Sequence, residues 1–571
     1  MNGVRGVDTN RLIVAVLVAM AVLFAYQEFL QWRYPSLYGP KARRAAPTVP
    51  TAGGSVSPAP AATAAVSPTQ ARPGALAAGG SLPSGSGTMA PFAERLLVVD
   101  TDFYQATFTN RGARLQSFQL KNYRATTAAN SPPYEMVRRG ERLPLGVVVV
   151  QNGVSYDDGD LEYQTTAPAR VDVTSAEPVK VTFTATTHDG LRLEKTFSFR
   201  QSSYVFDLSV RAAHADGATP DGLGVKLSQP LTELAGYRDY PEIQAHVQGK
   251  IETGQEKAVQ KGMAPVTGEI GFAGFGDRYF LSAFLPVQPR TGTFAVSYAN
   301  GEADAKMLFT GVGEIMTRVF MGPKELNVLE AADPILSKAI DLGWWGAIAL
   351  PLLRLLKLLY RVFPNYGVAI ILLTVVVKVA TLPLAVRGQR SMMKMQRLQP
   401  QVTKIREKFK DDSERLNREM VDLYKRNHVN PLGGCLPMLI QFPVLIALYE
   451  TLLNAVDLRN APFFGWIQDL SSPDCLHISW IPEIPYINCH GLPALVLLMT
   501  ASTFLQQWLM PKQADPSQQK MMMFMPLAFS FIFLQLPSGL TLYYFVSNLL
   551  GIVQQVILNK EFQQVSPEAA K

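Results

Sequence analysis

Three patterns of apolar and polar positions divide the chain. The first is an unbroken apolar run over 12–26, preceded by Arg5 and Arg11. Its length suits either a membrane anchor or the apolar stretch of a cleavable signal peptide. Gln27, Glu28, Phe29, Leu30, Gln31 and Trp32 follow where a small-x-small cleavage site would stand. This favours an uncleaved anchor over 1–34, with Trp32 and Tyr34 near the interface and the N-terminus in the cytoplasm. From 35 to 92 Pro, Ala, Gly, Ser and Thr dominate. Such a segment buries too little apolar surface to offset its ordering entropy and is predicted to be a flexible linker.

The second pattern, over 93–325, has period two. Val179, Val181, Phe183 and Ala185 alternate with Lys180, Thr182, Thr184 and Thr186. His188-Asp189-Gly190 marks a turn, after which Leu191, Leu193, Phe197 and Phe199 resume the alternation. Tyr204, Phe206, Leu208 and Val210 repeat it, and Asn300-Gly301 signals a hairpin. Half-buried strands joined by tight turns predict an antiparallel β-sandwich. Downstream of a first span, it should lie outside the cytoplasm.

The third pattern begins in a connecting region, 326–365. Within it 343–361 is rich in Trp and Leu but carries Arg354, Lys357 and Arg361 at helical spacing. One charged stripe on an apolar helix predicts an amphipathic helix in the interface plane. The alternative is a seventh span, which would invert everything downstream. Apolar runs then follow at 368–386, 436–456, 492–510, 521–536 and 540–558, giving with the first run six spans and a five-span core over 366–560.

Charge orients these spans. Between 387 and 428 there are twelve Lys/Arg against six Asp/Glu, so this loop is cytoplasmic by the positive-inside rule. Met395, Leu398, Val402, Ile405 and Phe409, then Leu416, Met420 and Leu423, form two apolar seams about an Asp411-Asp412-Ser413 turn. They predict a helical hairpin over 388–428. The connection between the third and fourth spans carries Arg459 as its one cation and fits the outer side. A short tail, 561–571, ends the chain inside. The net charge of +7 therefore reflects topology and lipid headgroups more than nucleic acid, since no basic arm interleaved with aromatics is present.

Chemistry is sparse. Three cysteines and six scattered histidines offer neither a disulfide scaffold nor metal-ligand spacing, so no metal and no cofactor are expected. No nucleophile–base arrangement lies at membrane depth, and the chain does not read as an enzyme. The informative residue is Lys378, nine residues or roughly 13 Å of helix from Arg387. An unpaired cation there costs roughly 2.5–3.5 kcal/mol. Either it pairs structurally, with Glu450 as the available but distant anion, or it faces a polar cavity that receives something anionic. Thr374, Gln441, Gln506, Gln507, Ser547, Asn548, Gln554 and Gln555 could line that cavity, or bridge helices. The methionines Met521, Met522, Met523 and Met525 suit lipid contact, or an adaptable surface for varied apolar segments.

Two segments carry a resemblance. Asn430-Pro431-Leu432-Gly433-Gly434-Cys435-Leu436-Pro437, running on to Gln441-Phe442-Pro443, is similar to the start of the third span in the YidC/Oxa/Alb family of membrane insertases. Pro537-Ser538-Gly539-Leu540-Thr541-Leu542-Tyr543-Tyr544-Phe545-Val546-Ser547-Asn548 resembles that family's last hairpin. Leu398-Gln399-Pro400 and Asp515-Pro516-Ser517-Gln518-Gln519-Lys520 fit as well, and the order of parts resembles the Gram-negative form. The resemblance implies an inner-membrane insertase and chaperone for nascent integral membrane proteins, acting alone or with Sec translocon components. It implies a hydrophilic groove open to cytoplasm and lipid and closed to the periplasm, which a client's polar tail or loop enters while its apolar segment leaves along the third and fifth spans into lipid. Lys378 falls where the family usually has arginine, keeping the charge without the planar fork. Tyr543 and Tyr544 become candidates for contact with the client, or else belong to an interfacial aromatic belt. The β domain resembles the family's sugar-mutarotase-like sandwich, in a scaffold or docking role. The outer-loop segment 474–491 looks like extra sequence, and the periplasm would permit a Cys475–Cys489 bridge. The tail is short and nearly neutral, so contact with ribosomes or signal-recognition targeting factors would fall to the cytoplasmic loops. A channel or transporter for a small anionic solute using Lys378 is the alternative reading, and a membrane-anchored periplasmic binding protein a weaker third.

Overall fold

The computed structural model describes residues 80–81, 93–128, 130–138, 140–231, 241–409, 412–427, 436–478, 491–509, 524, 526–528 and 530–564. The expected anchor at 12–26, nearly all of the linker, the methionine run and Cys489 lie outside the described residues.

The period-two region folds as expected. Val179–Thr186 pairs with Arg192–Phe199, which pairs with Val205–Ala213, all antiparallel. These strands belong to a 14-stranded sheet, and a five-stranded sheet holds Leu96–Asp100, Tyr104–Thr109 and Arg114–Arg124. Asn300-Gly301 makes the predicted hairpin, with Ala299 facing Glu302 and both turn residues at positive φ, 55° and 81°. That conformation suits Asn and Gly and would strain a β-branched residue. The inward positions form one core, in which Phe108, Phe183, Phe197, Phe199 and Phe206 meet ring to ring.

One inward position is not apolar. Lys195 stands in phase with Leu191, Leu193, Phe197 and Phe199 and is fully buried. Its ammonium lies 2.6 Å from Asp158, itself 0% exposed, and donates to the carbonyls of Gly112 and Leu145. Arg114 also reaches Asp158 at 3.0 Å and pairs with Asp157, which pairs in turn with Lys226. Burial would raise the Asp157 carboxyl, but Arg114 and Lys226 outweigh it and hold the pKa at about 2. Lys195→Ala leaves Asp158 with Arg114 alone among the cations and two carbonyls without their donor. A loss of about 3–5 kcal/mol is expected, read as a lower denaturant midpoint for the β domain.

Seven helices are labelled in chain order: α1 (Gly346–Val362), α2 (Tyr366–Arg397), α3 (Gln399–Lys408), α4 (Ser413–Arg426), α5 (Leu436–Asn454), α6 (Ala494–Leu509) and α7 (Ser538–Gln564). Among the described residues, α2 and the Ser538–Lys560 part of α7 are long and apolar enough to cross a membrane, while α6 is apolar but shorter. Asn365 caps α2 by accepting from the Val368 amide at 3.1 Å. The expected hairpin begins later than 388, because α2 continues unbroken to Arg397. It ends at Leu398, and α3 starts at Gln399 with Pro400 in its first turn, where a missing amide breaks no helical bond. Asp412 caps α4 as predicted, accepting from Arg415 at 3.0 Å. Val402 of the apolar seam is buried.

The amphipathic helix α1 differs from expectation. Its buried face, Ala349, Leu353 and Leu356, also carries Lys357, which is 9% exposed. Lys357 lies 3.0 Å from Glu325 and 3.2 Å from Asp457, and Arg354 lies 3.6 Å from Glu330. The cationic stripe therefore serves partly as an intramolecular bolt, because acids of the preceding segment and the outer loop compete with lipid headgroups for it. Arg459 makes the second bolt. It donates to the carbonyls of Arg124 and Ala125 at 2.6 and 2.9 Å and stands 4.8 Å from the centroid of the Tyr134 ring. These contacts join the β domain to the helical bundle.

Candidate functional site

Lys378 is half-buried on α2, twelve residues or roughly 18 Å of helix from Tyr366. Half of a hydrocarbon layer about 30 Å thick corresponds to roughly ten residues of helix, close to this spacing. Among the described residues no acid pairs with its ammonium. Glu450, the anion available in sequence, is buried at the far end of α5, within 3.4 Å of Asn454 Nδ2. Asn454 also donates to the Asp341 carbonyl ahead of α1. The structural-pair reading of Lys378 thus loses its named partner. Val375, Val376 and Val379 beside it are exposed. One turn on, the Thr381 hydroxyl donates back to the Val377 carbonyl at 2.9 Å, just before Pro383 interrupts the helical ladder.

The other sequence candidates separate into two groups. Gln441 on α5 donates to the Tyr543 hydroxyl on α7 at 3.0 Å, and the Tyr544 ring meets Phe533 edge-on at 5.0 Å. Tyr543 is 1% exposed, so its ring is packing and only its hydroxyl meets the half-buried amide. Thr374 is fully buried with its hydroxyl on the Ile370 carbonyl, and Asn548 bridges α7 to Ser502 and Thr503 of α6 at 3.1 and 2.8 Å. Thr374 thus bonds back within α2, and Asn548 binds the neighbouring helix α6. Gln389 joins α2 to α7 through Gln554 and Gln555, at 2.9 and 2.7 Å. Gly551 allows Gln506 of α6 to approach α7, since a Cβ there would stand 2.5 Å from its amide nitrogen. Gln441, Asn548, Gln554 and Gln555, four of the eight polar residues read in the spans, therefore bridge helices.

On the outer side Asp474 is buried and accepts from the Trp466 indole and from the Leu495 and Val496 amides, which caps the start of α6. Burial pushes its carboxyl up against the pull of those donors. Cys475, next to it, is disulfide-bonded, its partner lying outside the described residues. The pairing Leu476↔Leu492 and His477↔Gly491 closes the base of the same loop. Maleimide labelling of denatured, unreduced protein is expected to modify one cysteine, Cys435, and all three after reduction. Closing about 15 residues contributes roughly 3 kcal/mol.

Sequence reading passed over Lys195, Lys357 and Arg459 as structural ions. The signal existed for two of them. Lys195 lies on the inward phase of its strand, and Lys357 shares the helical face of Leu353 and Leu356. Arg459 stands in irregular loop and carried no phase.

Known proteins match this arrangement along the chain. The family model for the YidC periplasmic domain matches residues 96–355, and that for the 60Kd inner membrane protein matches residues 358–565. A membrane protein insertase YidC of Syntrophus aciditrophicus is 34% identical over 97% of this chain and 99% of its own length. One from Geotalea daltonii is 32% identical over 96% and 99%. A crystal structure of an active YidC insertase aligns with 84% of this chain and 94% of its own, at 18% identity and a TM-score of 0.35. With relatives alike from end to end across both the β domain and the helical core, the chain belongs to the YidC family of membrane protein insertases.

Proposed function

We infer that the protein inserts and folds integral membrane proteins in the bacterial inner membrane, with the β domain in the periplasm. Near-full-length likeness to YidC insertases supports this activity. The observation that carries the mechanism is Lys378, a cation at mid-depth with no anion bound to it among the described residues. A buried charge kept without a partner is costly, and a hydrated groove lowers that cost. Such a groove shortens the low-dielectric path a client's polar segment must cross. Lys378 then attracts acidic residues of that segment, while the Gln441–Tyr543 pair offers a polar wall between α5 and α7. The remaining polar side chains hold the helices in place around it.

Six spans, with both termini in the cytoplasm, fit the charge distribution along the chain. In this topology the α3–α4 hairpin meets ribosomes, targeting factors or Sec components from the cytoplasmic side, and lipids surround the spans. Cys475 and Cys489 form the outer-loop bridge. The test is reconstitution of the purified protein into liposomes with a small two-span client bearing an acidic translocated loop. Protease protection of that loop above the level of empty liposomes is expected. Protection equal to empty liposomes, with the client shown to be competent, would refute the reading.

A further inference from the structure

A cavity of about 410 Å³ lies between the β domain and the helical bundle. It is within the ~300–1,000 Å³ range of small-ligand sites. Three pieces of chain wall it: the end of the strand Arg114–Arg124, the junction of α1 with α2, and the outer loop after α5. We propose that this cavity seats the anionic phosphodiester headgroup of a phospholipid from the outer leaflet of the membrane.

Depth is the first argument. The cavity wall includes Tyr366, the first residue of α2, so its floor is at the level where a membrane span begins. Tyr123 and Tyr360 line it as well, and amphipathic rings favour that interfacial layer. Charge is the second. The cationic lining residues are Arg124 and Arg459, the latter already clasping the Arg124 and Ala125 carbonyls, against Asp457, which Lys357 matches at 3.2 Å. Among the described residues the exposed Arg124 side chain donates one bond, to the Ser131 carbonyl at 3.0 Å, which leaves guanidinium N–H groups for a phosphate. The third is the surround. Val362, Phe363 and Phe464 lie within two residues of the lining prolines Pro364 and Pro462 and are 65%, 48% and 66% exposed. A polar, net-cationic recess beside exposed apolar side chains matches a headgroup with its acyl chains running down the protein surface. A soluble peptide would leave those side chains in water.

The inference rests on the membrane placement of α2 but not on insertase activity, and its test keeps the two apart. Full-length protein is exchanged into detergent doped with dioleoyl phosphatidylglycerol or dioleoyl phosphatidylcholine, and bound lipid is counted by native mass spectrometry. Wild type is expected to retain phosphatidylglycerol in preference to phosphatidylcholine. Arg124→Glu should lower that retention roughly tenfold, the loss of one charge-assisted contact, and Arg124→Lys should keep most of it. Ala461→Trp, which fills the cavity from the opposite wall, should lower it independently of charge. Equal retention by wild type and both Arg124→Glu and Ala461→Trp would overturn the proposal. Displacement of the lipid by inorganic phosphate at matched concentration would overturn it too, in favour of a free-anion site. Client insertion measured on the same preparations reports separately on the activity.

Discussion

Lys378→Glu should reduce insertion of a client with an acidic translocated segment roughly tenfold or more, against a smaller loss for Lys378→Ala and near-retention for Lys378→Arg. The order follows from the surroundings of the residue. Its ammonium has no acid partner among the described residues, so removing it breaks no internal pair and leaves no orphaned carboxylate. What changes is the sign of the field at mid-depth. An anion there repels the client's acids, whereas alanine merely withdraws an attraction. Arginine preserves the charge and adds a fork suited to carboxylates. The measurement is protease protection of the client in proteoliposomes, with a client whose loop acids are neutralised as the control. That client should be nearly indifferent to all three substitutions. Equal inhibition of both clients by Lys378→Glu would show a folding defect and sink the electrostatic role.

Arg459→Ala should weaken the junction between the β domain and the bundle by about 4 kcal/mol. Two charge-assisted bonds, to the Arg124 and Ala125 carbonyls, disappear together with the stacking on Tyr134 and Phe280. The carbonyls left behind sit at a joint where Arg459 itself is only 9% exposed. Lys357 with Glu325 and Asp457 would remain, so the domain should loosen without detaching. Paired spin labels, one on the strand Arg114–Arg124 and one on α7, are expected to give a narrow distance distribution in wild type. The variant should give a broad one. Arg459→Lys should fall between them, because an ammonium keeps the charge but cannot span two carbonyls with a planar fork. An unchanged distribution in Arg459→Ala would mean that Lys357, with Glu325 and Asp457, carries the joint alone.

Much of this architecture was legible because repeating patterns are local. Alternation at Leu191, Leu193, Phe197 and Phe199 needs only the strand itself, and Asn300-Gly301 needs only its own backbone. Position along a helix is also local: the apolar run around Lys378 lies inside α2, twelve residues from its start. Partnership is different. Nothing near Lys357 in sequence indicates Glu325 or Asp457, which reach it from opposite directions, and the stripe it shares with Arg354 read as a lipid-facing feature. Asn548 and Thr374 read as groove candidates because polarity within a span is visible, whereas the neighbour that absorbs it is not. Arg459 stood out as a lone cation in its loop, but the carbonyls it clasps lie more than 330 residues away. The start of the hairpin was placed too early because charge, not helix geometry, marked the boundary.

The continuity of α2 past the membrane has a mechanical result. Its 32 residues extend about 48 Å, some 18 Å more than a hydrocarbon layer requires, so α3 and α4 are carried on a stalk. Pro383 lies between Lys378 and that stalk and leaves the Val379 carbonyl without its usual helical donor. Bending is therefore cheapest below the lysine. Any load applied to the α3–α4 arm is expected to be absorbed at this joint, while the part of the helix between the Asn365 cap and Lys378 keeps its charge in register. The receiving limb can swing without moving the charge it delivers to.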